Sequence, residues 1–155
     1  MRTSWMLLAA TAFTAALAAS PTFAADDECT LTIEGNDQMQ FNKEEMTVPA
    51  SCDTVTVELK HTGEMDKQVM GHNWVLTKTD DYQAVAQEGT QAGLENDYLP
   101  QDDDRIIAHT KMIGGGETTS VEFSTDDLAG EDLTFFCSFP GHSGVMNGKF
   151  IVEQE

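Results

Sequence analysis

From residue 29 onward, apolar and polar positions alternate in short runs. In CTLTIEG (29–35), Leu31 and Ile33 alternate with Thr and Glu. In DTVTVELKHTG (53–63), Val55, Val57 and Leu59 share one side, with Thr and Lys60 on the other. HNWVLTK (72–78), RIIAHT (105–110), TTSVEFST (118–125), DLTFFCSF (132–139) and GKFIVE (148–153) continue the pattern, separated by clusters of Gly, Asp and Asn. A period of two sends successive side chains to opposite faces of a strand, so each run has one face to bury and one to hydrate. The same rule puts one of Phe135 and Phe136 in the core. Many short strands with turn residues between them predict an all-β sandwich or barrel. One segment departs. DDYQAVAQEGTQAGLENDYLP (80–100) is rich in Ala and Gln, with Asp80 or Asp81 placed to cap a helix. Tyr82, Val85 and Ala86 share a helical face, and Gly89 or Gly93 can end it. This spacing predicts a short helical flap inserted between strands. The glycine run 114–116 reads as a flexible turn.

The pattern before residue 25 is different. Arg2 is followed by an apolar run from Trp5 to Ala19 and then SPTFA, the layout of a cleaved export signal. The cut is expected after Ala24, with Ala25 as the alternative. The run is short for a membrane span of about 20 residues. The expected organisation is a leader at 1–24 and one domain at 25–155. The sequence carries a net charge of −19 with acids dispersed along it, which disfavours nucleic acid and anionic membranes as partners. Dispersed acids read as a solvated surface, and secondarily as a means of steering a cationic partner. Of the three cysteines, Cys29 and Cys52 are close in sequence and suited to a disulfide in an exported chain. Cys137 is the odd thiol.

Cys137 lies in FFCSFPGHSGVM (135–146), with His142 and Met146 just beyond it. A strand end followed by a tight turn can aim several side chains at one spot. Upstream, His72 in MGHNW offers a second imidazole. Two histidines and a thiolate with a weak methionine are the ligands of a blue-copper electron-transfer site. A catalytic zinc site would use the same cysteine and histidines with one position open. However, methionine is a poor zinc ligand, and SFPGHSGVM holds no acid or base. A Cys–His nucleophile needs an orienting third group and a cleft. A lone buried cysteine is the plain alternative, and Met146 with His72 weighs against it.

The order GHNW … C-x4-H-x3-M, together with ECTLTIEGNDQMQFN, VMGHNWVL and DYLPQDDDRIIAHTKMIGGGE, resembles the cupredoxin family and its azurin branch across 25–155. The resemblance implies a Greek-key β-sandwich holding one type 1 copper ion. His72, Cys137 and His142 would be the equatorial ligands, Met146 the axial ligand and Gly71 the carbonyl on the opposite side. It implies that Asn73 ties the ligand loops together and, with the Phe139 amide, donates toward the sulfur. His61 would lie near the site, and His109 would be a surface histidine. Met39, Met70, Phe139, Pro140, Gly144 and Val145 would form an apolar docking patch at the exposed edge of His142. The implied function is a periplasmic shuttle of single electrons between redox proteins such as c-type cytochromes or periplasmic reductases, and not an enzyme. Cys137 is flanked by Phe136 and Ser138, so no adjacent histidine leads to a second copper. The methionines are scattered rather than clustered as in a copper store.

Overall fold

A computed structural model describes residues 28–154. The expected leader, with its cut after Ala24 or Ala25, lies outside the described residues. In chain order the elements are β1 (Thr30–Gly35), β2 (Glu45–Val48), β3 (Thr54–His61), α1 (Lys67–Met70), β4 (Val75–Lys78), α2 (Tyr82–Ala92), β5 (Ile106–His109), β6 (Thr118–Ser124), β7 (Leu133–Phe136) and β8 (Asn147–Val152). A single 3-10 turn, Leu94–Asn96, follows α2. One sheet has the order β1-β3-β6 and the other β2-β8-β7-β4-β5. β1–β3 and β2–β8 are parallel, and the remaining pairs are antiparallel. The chain passes repeatedly from one sheet to the other, giving the Greek-key sandwich.

The alternation in β3 does what it predicts. Val55, Val57 and Leu59 are fully buried between the sheets, beside Ile33 of β1 and in one core with Leu76, Phe135 and Phe150 of the other sheet. Trp74 sits at the centre, with its ring 5.8 Å from Phe123, 6.1 Å from Phe135 and 5.8 Å from Phe150. Its indole N–H has no partner among the described residues. That loss costs about 1–3 kcal/mol. Burying an indole of about 250 Å² contributes roughly 6 kcal/mol, so packing wins.

A second core lies outside the larger sheet, where α2 lays Val85 and Ala86 over Val75 and Phe136, with Leu99 beside them. The strand β7 is therefore buried on both faces. Phe135 enters the inter-sheet core and Phe136 the core under α2, so both are buried rather than one. Asp81 occupies the N-cap position of α2 but makes no side-chain cap bond, because its backbone is already helical. Gly93 follows the last helical residue, whereas Gly89 lies inside the helix. The run 114–116 is not a free turn. A Cβ on Gly114 would stand 2.7 Å from the Lys67 nitrogen, so the glycines allow two backbones to touch.

β2 and α1 were not expected. β2 is four residues long inside the charge-rich stretch NKEEMTV, although Met46 and Val48 alternate and are buried. β4 begins at Val75 rather than at residue 72, and His72 makes only an isolated bridge to Ile113. Strand direction puts His61, His72 and Cys137 at one end of the sandwich. Cys29 and Cys52, each just ahead of its strand, form a disulfide at the other end.

Candidate metal centre

Three segments meet at the first end. His72 is held by reciprocal backbone bonds with Ile113, its N–H donating at 3.0 Å and its carbonyl accepting at 2.9 Å. Cys137 follows the last residue of β7. The chain then turns at Gly141, whose φ of 85° lies in the left-handed region that glycine tolerates. His142 N donates to Phe139 O (2.9 Å), Met146 N to His142 O (2.8 Å) and Cys137 N to Met146 O (3.0 Å). The loop 137–146 is thus closed on itself by its own backbone.

Cys137 Sγ lies 3.8 Å from His72 Nδ1 and 3.6 Å from His142 Nδ1. Among the described residues this is the one group of three metal-ligating side chains, with donor atoms within 4.8 Å of one another. The thiol also lies 3.8 Å from the Gly71 carbonyl, to which it donates. Met146 is fully buried on the same loop. The five residues expected at the site therefore gather at one end of the fold. Their exposure departs from expectation in one respect. His142 is only 2% exposed, because the Phe139 ring lies 4.5 Å from its ring, so it has no broad open edge.

The protonation states suit metal binding. Burial lowers the His72 pKa to about 4, opposed by the Asn36 carbonyl bonded to its ring. Burial, and then the charges of His72 and His61, lower His142 to about 4. Both imidazoles are neutral at pH 7. The His72 Nε2 lies 2.8 Å from Asn36 O, a pure acceptor, so Nε2 carries the proton and Nδ1 presents its lone pair toward the sulfur. Burial pushes the Cys137 thiol up to about 12, while backbone N–H groups of Asn73 and Phe139 bond the sulfur and pull the other way. Without a metal the group is a thiol, and binding a cation must release its proton.

The residues around the donors are tied to one another. Asn73 Oδ1 accepts from Ser138 N at 2.8 Å, and its Nδ2 donates to Ser138 Oγ at 2.8 Å, so Asn73 joins the two ligand segments as expected. His61 stacks on His72 with ring centroids 4.4 Å apart, and His109 is exposed. Sequence reasoning missed Gly35, where a Cβ would stand 2.7 Å from the His72 ring. It also missed Asn36 and Asp97, which act here through backbone carbonyls. No residue-type pattern marks such roles.

One soft sulfur and two neutral nitrogens, without a carboxylate, fit copper. The donors are at most 2% exposed, which argues against a catalytic zinc with a water-open position and against any reaction needing substrate at Cys137.

Comparison with known proteins gives a consistent result. A family model described as copper binding proteins of the plastocyanin/azurin family matches residues 27–153. Azurin-1 of Alcaligenes xylosoxydans xylosoxydans is 58% identical over 122 residues, spanning 78% of this chain and 95% of its own. Azurin of Pseudomonas aeruginosa is 52% identical over 138 residues, spanning 88% of this chain and 92% of its own. A solved azurin, Az-iso2 of the obligate methylotroph Methylomonas sp. strain J, superposes with a TM-score of 0.78 at 45% identity, covering 81% of this chain and 98% of that one.

Proposed function

This chain belongs to the plastocyanin/azurin family of copper-binding proteins, and on that premise we propose that its one copper ion would be held by His72, Cys137 and His142, with Met146 and the Gly71 carbonyl as further ligands. The protein is an electron carrier rather than an enzyme. The observation that carries the ligand assignment is the convergence of Cys137 Sγ with the Nδ1 atoms of two buried, neutral histidines. Bound copper supplies the Cu(II)/Cu(I) couple. The chain's own contribution is to hold the donors still. His72 is fixed through its Nε2 by Asn36 and through its backbone by Ile113. The sulfur is fixed by two N–H donors, and the loop 137–146 by its internal bonds. Surroundings already in place need not rearrange when the charge at the site changes by one.

Residues 1–24 are a leader that directs the domain 25–155 to the periplasm. There the protein meets redox partners such as c-type cytochromes or periplasmic reductases at an apolar patch formed by Met39, Met70, Phe139, Pro140, Gly144 and Val145. In support, Met39 is 40% and Val145 64% exposed, and the other two exposed large apolar side chains among the described residues, Met65 and Val69, lie in the loop and helix between β3 and His72. Exposed apolar side chains grouped at one end mark a contact surface. No helix of the described residues is long and apolar enough to cross a membrane.

The test is titration of metal-free protein with Cu(II). One equivalent is expected to bind and produce an intense visible thiolate-to-copper absorption that Cys137→Ser abolishes. A colourless product, or a blue band that survives Cys137→Ser, refutes the ligand assignment.

A further inference from the structure

The insertion between β4 and β5 ends in an unusual backbone. Asp97 and Tyr98 are consecutive non-glycine residues with φ of 54° and 52°, both in the left-handed region. That region is unfavourable for residues other than glycine, although Asp tolerates it better than most. Such a conformation persists only where its surroundings over-determine it, and here they do.

The Asp97 carbonyl accepts two bonds, from Asn73 Nδ2 at 3.1 Å and from Ser138 Oγ at 2.8 Å. These are the residues next to His72 and next to Cys137. The Asp97 carboxylate accepts a third bond, from the Met112 N–H at 2.9 Å. Met112 is buried against Gly71, where a Cβ would come within 2.9 Å of its sulfur, and it precedes Ile113, the backbone partner of His72. The adjoining Tyr98 ring packs edge-on against Phe139 at 5.3 Å, and the Phe139 N–H bonds the Cys137 sulfur. From the other side, α2 is seated on the Tyr98 carbonyl at Gly89, where no side chain fits.

We propose that Asp97 is a positioning residue for the metal centre, clasping the Gly71–His72–Asn73 segment to the Cys137–Ser138 strand end. Its carbonyl fixes which way the Asn73 amide points, and so the spacing of the two segments. Its carboxylate fixes Met112, and so the back of Gly71. The left-handed turn lets one residue present both groups inward. The helical flap then has a task beyond covering Val75 and Phe136, since it delivers the clasp and holds it down.

The proposal rests on the ligand assignment above, and its test is built to fail separately. Asp97→Gly keeps the carbonyl and suits the positive φ but deletes the carboxylate. Asp97→Asn keeps an acceptor in the same place. Glu88→Ala loosens the flap by breaking the ion pair with Arg105 without touching the clasp. In the metal-free protein, Asp97→Gly is expected to speed amide hydrogen exchange at Met112 at least tenfold, with Asp97→Asn close to wild type. After loading with Cu(II), Asp97→Gly is expected to shift the visible band and the reduction potential, Asp97→Asn to restore both, and Glu88→Ala to change neither. Ser138→Ala opens the clasp from the facing side and should move the band in the same direction, which keeps the test decisive if Asp97→Gly does not fold. A lowered melting temperature with unchanged band, potential and Met112 exchange would overturn the proposal, as would an equal spectral shift in Glu88→Ala or no shift in Ser138→Ala. Absence of a blue band in the wild type would instead refute the ligand assignment, leaving Met112 exchange to judge the clasp.

Discussion

Acidification should destabilise the metal-free protein through its two ligand histidines. Both have pKa values lowered from 6.5 to about 4 in the fold, chiefly by burial. A lowered native pKa means that the unfolded chain binds protons the native protein refuses, so stability is fully present above about pH 6.5 and is lost as pH falls toward 4. From pH 7 to pH 5, each histidine with such a shift accounts for about 2 kcal/mol, and the pair for about 4 kcal/mol. That is a large fraction of a typical domain stability of about 5–15 kcal/mol. At a slope of about 2 kcal/mol per M, the urea midpoint should drop by roughly 2 M. The assay is urea unfolding with chelator present, at both pH values, for wild type and for His72→Gln/His142→Gln. Carboxylate protonation contributes equally to both proteins and cancels in the difference. The double variant should lose much less. Parallel loss in the two proteins refutes the reasoning, because the buried imidazoles would then not be the proton sink. Copper-loaded wild type, with its ring nitrogens no longer open to protons, should also lose far less over this range.

Three further outcomes follow from the geometry. Replacing Cys29 and Cys52 by Ala opens a link spanning 23 residues and should cost about 3 kcal/mol in chemical denaturation, leaving the copper spectrum unchanged because the bridge is at the opposite end. Gly35→Ala drives a methyl into the His72 ring; overpacking of this kind costs about 1–3 kcal/mol, and competition against a chelator should show weaker Cu(II) binding. Met39→Asp, at a side chain 40% exposed in the proposed patch, should slow electron transfer to a c-type cytochrome at least tenfold by stopped flow without moving the potential; an unchanged rate places docking elsewhere.

How legible each part was depended on where its determinants lie. Val55, Val57 and Leu59 alternate because β3 has one covered face, and they could be read directly. In β7 the period is erased, since α2 covers the second face, and nothing in LTFF reveals which helix does so. β2 hides because four residues among charges are too few to show a period. Cys137, His142 and Met146 were visible because one loop carries all three. His72, well upstream in MGHNW, was put forward as the second imidazole from the sequence, and the family resemblance then implied it as a ligand. The near-complete burial of His142 depends on the Phe139 ring lying over it, a contact that spacing does not encode. Asp97 was read only as part of the helical flap, because its left-handed backbone, the bonds to its carbonyl and the reach of its carboxylate to Met112 are set by the fold and not by a residue pattern.

The completeness of the burial around Cys137 bears on how the protein matures. A thiol with no exposed surface, held at the end of a strand buried on both faces, is sheltered from oxidants and thiol exchange once the chain has folded. The same shelter bars an incoming ion. An ion arriving after folding must wait for the 137–146 loop to part from its neighbours, so the uptake rate should level off at high metal concentration, at the loop's own opening frequency. An ion captured earlier would instead be enclosed as the strands close. Assembly order and loop dynamics, more than affinity, would then decide which metal the finished protein carries.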